Sequence, residues 1–307
     1  MDRIVDIETD RQHLSATRGF LRVEREREEV GRIPLDDIAA VIVHAHGITY
    51  SNSLLVALAE RNALLVTCGP NQSPVSCVWP IEGHHLQGAR MRAQWNAGKP
   101  LRKRLWRQVV VAKIEMQAAI LAAHGQKDGA LRGLAKKVRS GDPENLEAQA
   151  ARRYWPLLFG ENFRRDRAAG GLNGLLNYGY TVLRAATARS LLASGLHPTI
   201  GLHHSNRSNA FALADDLMEP FRPLVDHQVI GLRESGIEDI CPEAKATLVD
   251  LMTLDLPMPH GASPLSVSLQ RLSHSLAAAF EAAGGDLDLP LTLRPLDLPA
   301  PDSGPAP

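Results

Sequence analysis

The hydrophobic pattern of the sequence changes at Pro80, and this change limits the folds open to the chain. Before Pro80, short β-branched or alternating runs separated by turn residues predict strands. After it, the long segments repeat with the 3.6-residue period of helices. We therefore expect an α+β protein, in which a small N-terminal β domain with one helix precedes a larger, all-α-helical domain. The predicted strands are 4–7, 19–25, 29–33, 38–43, 64–68 and 75–79, with the helix at 51–61.

Start and stop signals divide the helical part. Pro100 fits a first helical position, and Asp142-Pro143-Glu144 offers an N-cap, a proline and an acid that together predict a helix ending at Phe159. The final 22 positions contain six prolines, so we expect a disordered tail. The predicted helices are 100–124, 127–139, 142–159, 174–194, 209–218, 242–251 and 265–283. The predicted domains are 1–80, a linker at 81–99, the helical domain at 100–285 and the tail at 286–307.

Composition excludes several classes of protein. The chain has 307 residues, 34 Lys plus Arg against 34 Asp plus Glu, and 44% hydrophobic residues, which is typical of a globular protein with roughly two domains. Three cysteines are too few for a disulfide scaffold and predict reduced thiols. The longest apolar runs have about six residues, whereas a membrane-spanning helix needs about 20. We expect a cytoplasmic protein without membrane segments.

The zero net charge hides a strongly basic segment. From Arg90 to Lys113 there are eight basic residues and no acidic one. Such a surface neutralises phosphates and releases counterions, so it predicts a nucleic-acid partner, although a solvated helical face is the alternative for any single run. More arginines follow in the next two segments. The predicted DNA contacts are Arg90, Arg92, Arg102, Lys103, Arg104, Arg107, Arg152, Arg153, Arg164 and Arg165.

Acidic residues and histidines cluster near position 210. Asp216 and Glu219 are three residues apart and share a predicted helical face, where like charges repel and favour a cation. His203 and His204 lie just upstream in a polar loop. Carboxylates with an imidazole and no thiolate suit Mg²⁺ or Mn²⁺, and such an ion beside a basic surface indicates phosphodiester chemistry. Surface acids and loop histidines remain the alternative on spacing alone.

Glu147 is a further candidate. The residues three and four positions after Glu147 are Ala150 and Ala151, not a basic partner. That face of the predicted helix is therefore open. The chain lacks a GxxxxGK[ST] loop, an HExxH helix and a GxSxG elbow, so P-loop, zincin and α/β-hydrolase chemistry have no support. No cofactor other than the ion is predicted.

Several of these residues carry a family resemblance. The sequence resembles the CRISPR adaptation integrase, CRISPR-associated protein one, from about residue 4 to 280, and in its type II form. The matching runs are Gly201-Leu202-His203-His204, Asp216-Leu217-Met218-Glu219-Pro220-Phe221-Arg222-Pro223, Asn145-Leu146-Glu147-Ala148 with Tyr154-Trp155, and Leu176-Asn177-Tyr178-Gly179-Tyr180.

The resemblance implies a function. Family members insert a short duplex, the prespacer, into the CRISPR repeat array, where each 3′-hydroxyl attacks a repeat phosphodiester in a metal-dependent transesterification, and they also act as DNA endonucleases. By analogy, the catalytic metal ligands are Glu147, His204 and Glu219, with Asp216 secondary and His203 as the ambiguous neighbour. The helical domain would then be catalytic and would use Mg²⁺ or Mn²⁺.

The resemblance also implies partners. They are double-stranded DNA, both prespacer and repeat, a second copy bound through the β domain, a dimer of CRISPR-associated protein two, and the type II effector nuclease. Two other functions stay open on sequence alone. One is a stand-alone metal-dependent nuclease of branched or single-stranded DNA, and the other is a non-catalytic DNA-binding module.

Overall fold

The computed structural model describes residues 3–69, 74–204 and 209–291. Strands fill the N-terminal part and form two four-stranded sheets, with helix α1 (Asn52–Ala59) between β6 and β7. The strands are β1 (Arg3–Ile7), β2 (Gln12–Thr17), β3 (Phe20–Arg25), β4 (Glu28–Pro34), β5 (Ile38–Val43), β6 (Thr49–Tyr50), β7 (Leu64–Cys68) and β8 (Pro74–Val78).

The first sheet has the order β1-β5-β7-β8, and its centre is buried on both faces. Strand β5 pairs in parallel with β1 and β7, and β8 runs antiparallel to β7. All six residues of β5 are buried. Val41 and Val43 face the second sheet and α1, whereas Ala40 and Ile42 face the helical part. Burial on both sides explains why β5 is an unbroken apolar run in the sequence.

The second sheet has the order β4-β3-β2-β6 and is mainly antiparallel. Its strands β2 and β6 lie outside the predicted strands. Strand β2 begins with Gln12 and His13, and β6 has only two residues, so neither shows the apolar run that marked the other strands. Pairing with neighbouring strands, rather than local pattern, makes these segments extended.

The rest of the described chain is mainly helical, which confirms the predicted order of a β region followed by a helical one. A short hairpin of β9 (Asp255–Met258) and β10 (Gly261–Pro264) departs from the all-helical expectation. A 3-10 turn, Glu219–Phe221, joins two helices. The helices are α2 (Gln87–Asn96), α3 (Lys99–Ala123), α4 (Gly129–Ala135), α5 (Leu146–Phe159), α6 (Leu172–Ala193), α7 (Ala212–Met218), α8 (Arg222–Glu234), α9 (Pro242–Asp250) and α10 (Leu265–Glu281).

The β region and the helices share one core. Apolar residues on one face of the first sheet, including Ile42 and Val66, join the same buried cluster as the helical residues. A polar contact adds to this interface: the hydroxyl of Tyr178 on α6 donates to Asp6 Oδ2 on β1 at 2.9 Å. The ammonium of Lys245 on α9 lies 3.2 Å from the same oxygen and 3.1 Å from Glu8. The sheet is therefore fixed against the helical part by both apolar and charged contacts.

Two predicted segments differ from the structure. The predicted linker at 81–99 contains helix α2, whose buried Gln94 donates to the carbonyls of His197 at 2.9 Å and Ile200 at 3.0 Å. The predicted disordered tail is wrong for residues 286–291. Leu287 is buried there and its N–H donates to Gln108 Oε1 at 2.8 Å. Leucines between the prolines provide apolar side chains for an extended segment; residues 292–307 lie outside the described residues.

The three cysteines are free thiols, in line with the predicted reduced state. Cys68 is buried, and Cys77 and Cys241 are half-buried. Burial raises the pKa of Cys68 to about 12 and that of Cys77 to about 12, so both thiols stay protonated and unreactive near neutral pH. In the described ranges, no helix is long and apolar enough to cross a bilayer.

We expect Tyr178→Phe to destabilise the protein. The change removes the hydroxyl that donates to the half-buried Asp6, and a hydrogen bond to a charged group contributes roughly 1.5 to 3 kcal/mol. Urea unfolding would measure the loss in the free energy of unfolding. Tyr50→Phe is a matched control, since no hydrogen bond of the Tyr50 hydroxyl is found among the described residues, and it should change the free energy little. Equal losses in both variants would contradict this role of Tyr178.

Candidate functional site

Helix α5 places Glu147 in its first turn. The helix begins at Leu146 rather than at the predicted Pro143, because Asn145 adopts a left-handed conformation with φ of 51°. The buried carboxylate of Asp142 still caps the helix, since it accepts the N–H groups of Leu146 at 2.9 Å and Glu147 at 3.0 Å. Sequence reasoning therefore found the capping residue but placed the helix start three residues early. The cap fixes the direction in which Glu147 leaves the helix.

Glu219 occupies the 3-10 turn between α7 and α8 and is buried. Arg222 donates to its Oε1 at 2.7 Å, and the ammonium of Lys113 lies 2.5 Å from its Oε2. Burial by itself would raise the pKa of Glu219, but the charges of Arg222 and Lys113 outweigh it and lower that pKa to about 2. The Glu219 carboxylate is therefore ionised at neutral pH.

Lys113 joins the two predicted carboxylate ligands. It lies on α3, its side chain is 8% exposed, and its ammonium contacts both Glu147 and Glu219. Sequence reasoning placed Lys113 in the basic segment but did not assign it to the site. Nothing in the local pattern marked it, since its partners come from α5 and from the turn before α8.

The loop that carries the two histidines is held by Asp216 on α7. This fully buried carboxylate accepts the N–H groups of Leu202 at 2.6 Å and His203 at 2.9 Å, and pairs with Nδ1 of His204 at 2.5 Å. The hydrogen bond to Asp216 raises the pKa of His204. Both oxygens of Asp216 are thus engaged in positioning the loop, and the ring orientation leaves Nε2 of His204 turned away from this carboxylate.

The loop also depends on Gly201. A Cβ at this position would lie 2.5 Å from the carbonyl oxygen of His204 and 2.9 Å from Asp216 Oδ2. Any larger residue would push apart the contact between the loop and α7. Gly201 therefore allows the close approach on which the orientation of His204 depends.

The two histidines have different surroundings. The ring of His203 stacks on Trp106 of α3, with centroids 4.5 Å apart and planes 3° apart. His204 instead lines a cavity of about 260 Å³ together with Glu219. This arrangement favours His204 over His203 as the residue that faces a ligand. The basic residues around the cavity are Arg165, Arg167, Arg184 and Arg222.

The predicted metal ligands are brought together in pairs. Glu147 and Glu219 converge on one ammonium, and His204 and Glu219 share one cavity. Within the described part of the chain, no three His, Cys, Asp or Glu residues are close enough to hold an ion as a group. Buried Oε2 of Glu219 has no hydrogen bond with acceptable angles, although the Lys113 ammonium is near. Carboxylate oxygens with one imidazole nitrogen suit Mg²⁺ or Mn²⁺, so the donor types fit a divalent ion, whereas their present spacing, with Lys113 between the two acids, does not form a closed ligand set.

The predicted DNA contacts divide into exposed and internal side chains. Arg90 is tied to Glu281 at 3.2 Å and to the carbonyl of Ser194 at 3.0 Å. Arg165 is half-buried and held by the side chains of Asn173 and Asn177, and Arg102 is half-buried on the end of α2. The exposed members are Arg92, Lys103, Arg104, Arg107, Arg152, Arg153 and Arg164.

An exposed aromatic residue adjoins this basic surface and was missed by sequence reasoning. Trp95 on α2 is 71% exposed, with Arg92 and Lys99 near it in the chain and also exposed. The neighbouring residue, Gln94, holds the segment that leads to the histidine loop. An exposed tryptophan among cations is a surface on which bases can stack.

Comparison with known proteins identifies the family. The sequence matches the family described as CRISPR associated protein Cas1 over residues 5–239. The chain belongs to the Cas1 family. It is 43% identical over 225 residues to a CRISPR-associated endonuclease Cas1 of Neisseria meningitidis serogroup C, with 73% of each chain covered. A Cas1 endonuclease of Pyrobaculum aerophilum is 34% identical over 242 residues, covering 73% of this chain and 80% of that one.

Solved structures share the Cas1 fold. A casposase bound to its integration product has a TM-score of 0.78 at 20% identity, with 93% of this chain and 92% of that chain covered. A Cas1 protein from Thermotoga maritima has a TM-score of 0.75 at 18% identity, with 92% and 98% covered. A chain of a Cas6-RT-Cas1–Cas2 complex has a TM-score of 0.76 at 19% identity, with 95% of this chain and 36% of that one covered. The resemblance seen in the sequence is therefore confirmed.

We expect Asp216→Asn to lower the pKa of His204 towards its ordinary value. The change removes the carboxylate that accepts from the imidazole, so the charged imidazole is stabilised less. An NMR titration of the histidine ring protons would measure the shift. Asp215→Asn is the matched control, because its carboxylate is bound by Arg184 at 2.6 Å, and it should cause a smaller change. No change in Asp216→Asn would show that Asp216 does not control the imidazole.

Proposed function

We propose that this Cas1 chain is a metal-dependent DNA integrase that joins the 3′-hydroxyl ends of a prespacer duplex to phosphodiester bonds of a CRISPR repeat. It also acts as a DNA endonuclease when water replaces the hydroxyl. The observation that carries the proposal is the convergence of Glu147 and Glu219, from separate segments, on one cation beside the cavity that His204 lines. The similarity to a CRISPR-associated endonuclease and to a casposase bound to integration product supports the same class of reaction.

Each residue of the site has a part in this chemistry. Glu147, His204 and Glu219 would hold Mg²⁺ or Mn²⁺, which polarises the scissile phosphate and stabilises the leaving oxygen. Glu219 suits this task because its pKa of about 2 keeps it ionised at any physiological pH. Asp216 acts as a positioning residue that holds the histidine loop. Arg222 keeps the Oε1 atom of Glu219 fixed, whereas Oε2 faces a second cation, the ammonium of Lys113.

The basic surface would position the DNA. Among the described residues, four arginines line the cavity beside Glu219, and exposed arginines extend along α3 and α5. Guanidinium groups grip phosphates without reading bases, so they fix the register of a duplex rather than its sequence. Alignment of a 3′-hydroxyl with a phosphodiester is itself a large part of catalysis for such a joining reaction.

The partners follow from the same proposal. A second copy would bind through the N-terminal β region. A dimer of CRISPR-associated protein two would join it, by analogy with the similar Cas6-RT-Cas1–Cas2 complex. A part for the type II effector nuclease rests on the likeness to the Neisseria relative. Reaction with a chromosomal repeat array would place the protein in the cytoplasm.

A joining assay separates this function from its alternatives. The purified protein, its small partner and Mn²⁺ are mixed with a short duplex and a supercoiled plasmid that carries a repeat. Integration requires covalent joining that disappears when the duplex ends in 3′-deoxynucleotides. Nicking that ignores this change would favour a stand-alone nuclease, and binding without any strand breakage would favour a DNA-binding module.

We expect Glu147→Gln and Glu219→Gln to reduce joining by at least a hundredfold while DNA binding changes only a few fold. Each change removes a charge that the ion requires but leaves the exposed arginines in place. Gel assays of joining and of binding measure the two effects separately. His204→Ala should behave similarly, and His203→Ala should be milder, because His203 stacks on Trp106 instead of facing the cavity.

Glu144→Gln is the matched control for these variants. Glu144 lies close to Glu147 in the chain but pairs with Arg139 on the surface at 2.5 Å. Its loss should leave joining unchanged. The catalytic assignment fails when DNA binding falls as steeply as joining, and the choice of histidine fails when the two histidine phenotypes are reversed.

We expect the double variant Arg104→Ala, Arg107→Ala to weaken DNA binding and to flatten its salt dependence. Each lost phosphate contact should lower the slope of log affinity against log salt by about one. Filter binding at several salt concentrations measures the slope. Arg61→Ala, which removes a guanidinium paired with Asp36 in the β region, serves as the control and should leave the slope unchanged. An unchanged slope in the double variant would remove α3 from the DNA surface.

A further inference from the structure

Lys113 occupies an unusual position for a lysine. Its side chain is 8% exposed, and its ammonium contacts Glu147 Oε1 and lies 2.5 Å from Glu219 Oε2. Lysines are rarely buried unless they are paired, and this one is paired with two carboxylates at once. Those two carboxylates come from different elements, the first turn of α5 and the turn before α8. A single cation thus holds these two elements together.

The charges of this cluster balance. Glu147 and Glu219 carry two negative charges, and Lys113 and Arg222 carry two positive ones. Arg222 contacts the Oε1 atom of Glu219, whereas Lys113 contacts Glu147 Oε1 and Glu219 Oε2. Lys113, and not Arg222, therefore occupies the position between both acids.

A divalent ion held by both acids would need that same position. Two cations a few ångströms apart repel strongly in a protein interior, where the effective dielectric constant is far below that of water. An ion bound by Glu147 and Glu219 and the present ammonium of Lys113 therefore exclude one another. The long, flexible lysine side chain can withdraw, whereas the two carboxylates are held by their helices.

We propose that Lys113 is a built-in competitor for the divalent ion: its ammonium bridges Glu147 and Glu219 in the metal-free protein and withdraws when the ion binds. The inference rests on the metal site of the proposed function and assigns a role to a residue outside the ligand set. Before the ion binds, the ammonium of Lys113, together with Arg222, balances the charge of the two carboxylates and holds them together. It also weakens metal binding, because part of the binding free energy is used to displace the ammonium.

The test is Lys113→Met in the full-length chain. Methionine keeps most of the length and the apolar stem of lysine but has no charge. Glu147 then loses this ammonium, and Glu219 keeps only Arg222 among its described cationic partners. We expect the affinity for Mn²⁺, measured by calorimetry, to rise at least tenfold. In EDTA, the unfolding temperature of Lys113→Met should be lower than that of the parent protein, and addition of Mn²⁺ should bring it back to the parent value. Lys113→Arg keeps a cation in place, and its Mn²⁺ affinity should stay within about threefold of the parent.

Lys245→Met provides the matched control. Lys245 is a second buried lysine that lies between two carboxylates, Asp6 at 3.2 Å and Glu8 at 3.1 Å. Its loss should lower the unfolding temperature without restoration by Mn²⁺ and without a change in Mn²⁺ affinity. If Mn²⁺ restores the unfolding temperature of Lys245→Met as much as that of Lys113→Met, the ion neutralises any pair of buried acids, and the proposal is wrong.

The other possible results of these Mn²⁺ measurements also support or overturn the proposal. Unchanged or weaker Mn²⁺ binding in Lys113→Met would overturn the proposal. If that variant does not fold without metal, its refolding yield in Mn²⁺ against EDTA gives the same comparison, and equal yields would overturn it. Because these readouts do not depend on joining, tighter Mn²⁺ binding with no integration in any variant would reject the proposed function and leave this inference standing.

Discussion

Charge pairing inside the helical part is the constraint on which the site depends. Glu219 is buried, and burial opposes ionisation unless cations are near. Arg222 and Lys113 provide them, and Lys113 extends the pairing to Glu147. Three elements, α3, α5 and the turn before α8, are thereby held in one arrangement. The same contacts hold two carboxylates on one ammonium and keep Glu219 ionised, and a divalent ion requires carboxylates that lie close together.

The elements around this cluster are held in place by the core and by hydrogen bonds. The first sheet is covered on both faces and shares its helical-side core with α6. Helix α2 holds the segment before the histidine loop through Gln94, and Asp216 holds the loop itself. His204 is therefore positioned by backbone contacts of the residues before it as well as by its own ring. Such support is what a reaction that depends on alignment demands.

Local patterns predicted much of this architecture. The apolar run of β5 and the helix at 51–61 were readable because the spacing of apolar residues is a property of neighbouring positions. Segments without such local signals were missed, as β2 and α2 show. Asp142 lies between these cases: its capping role was visible, but the start of α5 shifted because Asn145 adopts a left-handed conformation. The prediction of disorder was wrong for residues 286–291, where leucines between the prolines are apolar enough to pack.

The sequence by itself determined the order of a β region before a helical one, the family and the candidate residues Glu147, His204 and Glu219. Those conclusions depend on periodicity and motifs, which are properties of short segments. Only the tertiary structure decided that Lys113 lies between the two glutamates, that Asp216 serves the histidine loop, and that His203 stacks on Trp106. The partner of a buried charge is chosen by packing between distant segments, and no local pattern records that choice.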